Sequence, residues 1–124
     1  MAQLLDGLVA LPLDSRNQEQ LEWAAQEILD AGGEANLWIG RLALAAEERA
    51  LQDRMSEAVA EEYRAVAQVA KAARDEQPLT RGRTLARLRR ELHRITQRDY
   101  FPPPEREEAV AAVEQLASSV EVGA

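Results

Sequence analysis

The chain has no cysteine, one histidine and few aromatics. Without cysteine there is no disulfide, no thiolate zinc site and no thiol redox sensor. His93 alone cannot build a histidine-based metal site. No run of about 18 apolar residues is present, which argues against a membrane-spanning helix. The opening "MAQLLDGLVALPLD" carries no basic region ahead of its apolar run and so does not read as a signal peptide. A cytoplasmic protein is the expectation.

Alanine is abundant in the 124 residues, and with aromatics at only 4% the composition favours helix. The length suits one domain, 1–124, with a modest core. The net charge of −7 is unevenly spread. Residues 79–98 hold seven arginines and one glutamate, while residues 1–78 hold 7 basic and 15 acidic residues. The overall acidity opposes indiscriminate polyanion binding, yet a local basic stripe is compatible with a nucleic-acid contact.

Asp6-Gly7 between two apolar runs predicts a β-hairpin, with strands near 2–5 and 8–12. "DSRNQEQLEWAAQEILDAGG" predicts a helix of about 16 residues. Ser15 and Gln18 are spaced as a capping box, and Gly32-Gly33 supplies a left-handed stop. Leu21, Ala24, Ala25 and Ile28 form the expected inward face. Trp23 falls on the other side, where it meets either a partner or another part of the chain. Leu37-Trp38-Ile39 predicts a third strand, near 34–42, pairing parallel to the hairpin across a helical crossover.

The remainder, 45–124, reads as helical. Leu51, Met55, Val59, Tyr63 and Val66 recur at the helical period over about 45–74. Asp53, Glu57 and Glu61 line the opposite face, as a solvated face or as a docking strip for arginines. Pro78 and Gly82 suggest a break. A basic helix follows at about 83–99, then a proline corner, then a helix at about 104–119. Val110, Val113, Leu116, Ala117 and Val120 form the buried stripe of that last helix, and the final residues from Ser118 are expected to fray.

The basic helix places Leu85, Leu88, Leu92 and Ile95 on one face and Arg83, Arg87, Arg90, Arg94 and Arg98 on another. Such a ridge could follow a phosphate backbone. Five neutralised phosphates would give a log–log salt slope of about −4.5. The alternative is an exposed face, or one paired with Glu57 and Glu61 or with Glu105 and Glu108. His93 lies between the two stripes. Tyr100-Phe101 before three prolines reads as a plug closing a helical hairpin. No glycine-rich phosphate loop precedes a helix. The four serines have no evident base, so no nucleophilic triad can be drawn. No catalytic residue, metal site or cofactor is assigned.

These segments, in order, resemble the N-terminal domain of the chromate-resistance regulator family (ChrB). "LLDGLVALPLDSRNQEQLEWAAQEILDAGGEANLWIGR" is similar to its hairpin, its helix with a Leu-Glu-Trp-like centre and an Ala-Gly-Gly-Glu-Ala end, and its next strand. "EEYRAVAQVA" looks like the following helix, with Glu62 and Tyr63. Leu88, Arg94, Ile95, Arg98, Asp99 and Phe101 match a Leu-x-Arg…Arg-Ile-x-x-Arg-Asp-x-Phe segment. The resemblance implies an α+β fold: a truncated ferredoxin-like ββαβ unit (1–42) followed by three helices, lacking the family's usual first strand and helix. It implies a non-enzymatic, DNA-linked role in transcriptional control of chromate efflux, without the C-terminal chromate-responsive domain. A homodimer is expected from the unpaired sheet edge. A pure protein-interaction module, using Trp23 and that edge, is the rival expectation. A remnant nuclease lacks its acid at the end of the first strand.

Overall fold

The computed structural model describes residues 1–5 and 7–122, the side chains of residues 5, 121 and 122 excepted. Two strands and four helices follow one another: β1 (Ala2–Leu5), β2 (Leu8–Ala10), α1 (Ser15–Asp30), α2 (Ala45–Ala73), α3 (Pro78–Gln97) and α4 (Glu105–Val122). They divide into two compact units, Met1–Leu51 and Gln52–Ala124, with the boundary inside α2.

The first unit holds an antiparallel hairpin in which Ala2 faces Ala10 and Gln3 faces Val9, with an irregularity between Gln3 and Leu5. Gly7 has φ of 79°, as a tight turn requires. Asp6, the other expected turn residue, lies outside the described residues, as do Gly123 and Ala124. α1 is capped by Asp14, whose carboxylate accepts the Asn17 N–H at 2.7 Å. The expected Ser15–Gln18 box is therefore displaced by one residue. A carboxylate one position earlier is the better acceptor for the positive helix end. Asn17 is buried, and its amide donates to the Pro12 carbonyl at 2.9 Å. α1 ends as expected: Gly32 has φ of 86°, its N–H bonds Leu29 O, and the Gly33 N–H bonds Ile28 O at 2.8 Å.

The expected third strand does not form. The sheet has two strands, residues 34–42 are irregular, and Trp38 is 85% exposed. A truncated ferredoxin-like ββαβ unit is thus absent, and the fold is mainly helical with one hairpin. A parallel strand needs cover on both faces, and this unit has a single complete helix to offer. The inward stripe of α1 also lacks a core to face: Leu21 and Ala25 are half-buried, and Ala24 and Ile28 are exposed.

The second unit carries the core. Val59, Tyr63, Val66, Ala67, Ala70 and Ala73 of α2 cluster with Leu85, Leu88 and Ile95 of α3 and with Ala109, Ala112, Val113 and Leu116 of α4. Each full burial of a Leu, Ile or similar side chain contributes about 1.5–3 kcal/mol. The buried alanines of α4 let its backbone approach α3 closely. α3 begins at Pro78, five residues before the expected start. Proline suits the first helical turn. Gly82 is absorbed into the helix at a cost of about 1 kcal/mol relative to alanine. α4 continues to Val122, so the helix runs through the segment expected to fray.

Candidate functional site: the arginine face of α3

α3 is fixed on one side by the apolar stripe Leu85, Leu88 and Ile95, with Leu92 partly buried against the same cluster. The five ridge arginines emerge on the other side, all exposed. They do not behave alike. Arg98 donates to the Glu62 carboxylate at 3.0 Å, and Arg94 lies 3.7 Å from Glu91 on its own helix. Arg83, Arg87 and Arg90 have no carboxylate within ion-pair distance among the described residues. Two of the four acids that are candidates to neutralise the ridge are engaged elsewhere: Glu57 and Glu105 both bind Arg64, at 2.7 and 3.3 Å. Glu61 and Glu108 make no ion pair with the ridge.

The unpaired part of the ridge therefore spans three residues, about 10 Å along the helix axis at 1.5 Å per residue. Like charges at i, i+4 disfavour a helix by about 0.2–0.5 kcal/mol per pair. Arg83 with Arg87, Arg90 with Arg94 and Arg94 with Arg98 are such pairs. The apolar face holds the helix despite them.

A second group was not foreseen from the sequence. The Tyr63 hydroxyl, fully buried in α2, donates to Asp99 Oδ2 at 2.7 Å just past the end of α3. The Arg106 guanidinium of α4 lies 3.7 Å from the same oxygen. The Asp99 side chain is fully buried, and its Oδ1 has no hydrogen-bond partner. Burial pushes the Tyr63 hydroxyl well above its ordinary range, and the hydrogen bond to Asp99 adds to the shift. Glu62 and Tyr63 on α2 thus meet Arg98 and Asp99 in register, one pair exposed and the other buried. Arg98 and Asp99 are not paired with each other. One signal could have exposed this group: a tyrosine inside an otherwise apolar stripe carries a hydroxyl that must find an acceptor.

The remaining candidates are dispersed. Trp23 is 65% exposed beside Glu19 and Glu22 in a shallow groove on α1. His93 is exposed with Gln97 at 3.1 Å, and Tyr100 and Phe101 are half-buried. Ser119 is committed to the Leu116 carbonyl at 2.8 Å. Among the described residues, no group of His, Asp or Glu side chains is arranged to hold a metal ion. Among the described residues no helix is long and apolar enough to cross a membrane. No family model, curated protein or solved structure matches the chain.

Proposed function

We propose that the chain is a non-enzymatic regulatory protein that contacts DNA phosphates through Arg83, Arg87 and Arg90. Transcriptional control associated with chromate resistance is the setting that its resemblance to the chromate-resistance regulators supplies. The observation that carries the reading is three exposed ridge arginines without carboxylate partners on a helix whose other face is locked in the core. A rigid cationic strip lowers the ordering cost of phosphate contact, because only side chains need settle. A polyanion would also relieve the repulsion among neighbouring arginines.

Two of the five ridge arginines have acidic neighbours, so the expected salt slope is smaller than five contacts would give. Three neutralised phosphates correspond to a log–log slope of about −2.7. The test is anisotropy of a labelled duplex over a salt series. The wild type should bind at low salt with roughly that slope. The Arg83→Ala/Arg87→Ala/Arg90→Ala triple should lose most of the affinity and flatten the slope. Arg98→Ala should leave it close to wild type. Absence of binding at low salt, or binding indifferent to the triple substitution, overturns the reading.

A further inference from the structure

The arginine ridge is one edge of a wider exposed face of α3. Ala86, Arg89, His93 and Gln97 are exposed as well. Arg89, like Arg83, Arg87 and Arg90, has no carboxylate within ion-pair distance among the described residues. At about 100° per residue, Arg89 lies about 125° around the helix from the middle of those three ridge arginines. Ala86, His93 and Gln97 fall in the arc between, on the side away from Leu85, Leu88 and Ile95. α3 thus carries unpaired cations on both flanks of a strip of small and polar side chains.

The strip has its own chemistry. Gln97 Nε2 lies 3.1 Å from His93 Nε2. With the amide donating to the ring nitrogen, the Gln97 amide is held in place. One of its N–H groups and its carbonyl oxygen stay free. Those two groups are the complement of adenine N7 and N6–H in the major groove. Ala86 is small and apolar, as contact with a thymine methyl requires. From Ala86 to Gln97 is about 16 Å along the axis, the length of about five base pairs.

We propose that α3 enters the major groove of duplex DNA and reads an adenine through Gln97, with His93 as its positioning residue. The inference rests on the phosphate reading above and adds sequence recognition to it. Arg83, Arg87 and Arg90 lie along one backbone, and Arg89 turns toward the other. A helix with its side chains is about 10–12 Å across and the groove is about 12 Å wide. Phosphate contacts fix position and carry no sequence information, so bases are distinguished by the strip between the flanks. Other nucleic acids fit worse. The major groove of A-form RNA is too narrow for side chains to read. α3 contains no Phe, Tyr or Trp on which single-stranded bases could stack.

The experiment is selection of duplexes from a random-sequence pool by the full chain at low salt, followed by anisotropy on the selected duplex and on an unrelated one. The wild type should enrich a motif of about five base pairs that includes an adenine. Gln97→Ala should erase preference at that position, a loss of about tenfold in discrimination, while binding the unrelated duplex as before. His93→Ala should reduce the same preference and no other. Arg89 engages only when the helix is seated in the groove. The log–log salt slope should therefore be about −3.6 on the selected duplex and about −2.7 on the unrelated one, and Arg89→Ala should make the two equal. The selected sequence made as RNA should bind no better than unrelated RNA. These positions are exposed, so helix content should be unchanged in each variant. Duplex binding that enriches no motif overturns this inference and leaves the phosphate reading standing. So does a motif whose adenine survives Gln97→Ala. Failure to bind any duplex overturns both.

Discussion

Tyr63 and Asp99 lie 36 residues apart in the chain and are joined by a hydrogen bond between two buried side chains. Replacing Tyr63 with phenylalanine keeps the ring in the core but strips the Asp99 carboxylate of its hydroxyl donor. The remaining partner, Arg106, lies 3.7 Å away on a half-exposed side chain. A buried acceptor left unsatisfied costs about 1–3 kcal/mol, so Tyr63→Phe should lower denaturant stability by that amount at neutral pH. The pH dependence follows from the raised pKa of Tyr63. Its neutral form is favoured in the folded protein, so its contribution is complete below the ordinary value of 10.0 and declines as pH rises above it. Urea titrations from neutral to strongly alkaline pH should show the wild type losing its advantage over Tyr63→Phe above about pH 10. A gap that stays constant would mean the hydroxyl does not titrate with folding.

At the scale of elements, the helical stripes were legible because each is a short-range repeat with a core to face. Met55, Val59, Tyr63 and Val66 on α2, and Leu85, Leu88 and Ile95 on α3, are buried as their spacing predicts, with Leu51 and Leu92 half-buried. On α4 the buried stripe is Ala109, Ala112, Val113 and Leu116, while the expected Val110, Ala117 and Val120 are half-buried. The beginning of α3 was misjudged because a proline and a glycine read as breakers. Pro78 instead occupies the first turn. Gly82 is a helical residue around which a Cβ would meet nothing within 4 Å. Gly82→Ala should therefore stabilise the protein by about 0.5–1 kcal/mol, through reduced freedom of the unfolded chain and better helix propensity. Thermal unfolding checks it, and duplex binding should be unaltered because the arginines keep their face. The strand expected near 34–42 failed for a reason invisible in its own residues. Leu37-Trp38-Ile39 is suitable for a strand, but a parallel strand needs a neighbour and cover on both faces, and its own residues do not reveal whether these exist.

Across the whole molecule, burial is distributed unequally. The core cluster lies entirely between Val59 and Leu116, with Leu92, Ala117 and Val120 packed against it. Local opening is governed by buried apolar contacts. Amide exchange should accordingly be slowest in the helical segments between 55 and 117, and fast throughout the hairpin and α1 in dilute solution. Mass-spectrometric exchange resolves this directly. Comparable protection in both units at low concentration would contradict the distribution of burial.

Local order decided a great deal. Helical period, the Gly32-Gly33 stop and the charge segregation onto α3 all follow from neighbours within a few residues, where backbone geometry and side-chain spacing suffice. Which arginines are paired could not be read that way. Arg98 meets Glu62, and Arg64 meets Glu105, only because packing of three helices brings distant turns together, whereas Arg64 and Glu57 are neighbours two turns apart on α2. The same packing joins Tyr63 to Asp99 and leaves Arg83, Arg87 and Arg90 without partners. Composition and spacing thus determined that α3 has a basic face. The tertiary structure decided how much of that face remains open, because ion pairing falls off within a few ångströms and sequence distance does not measure it.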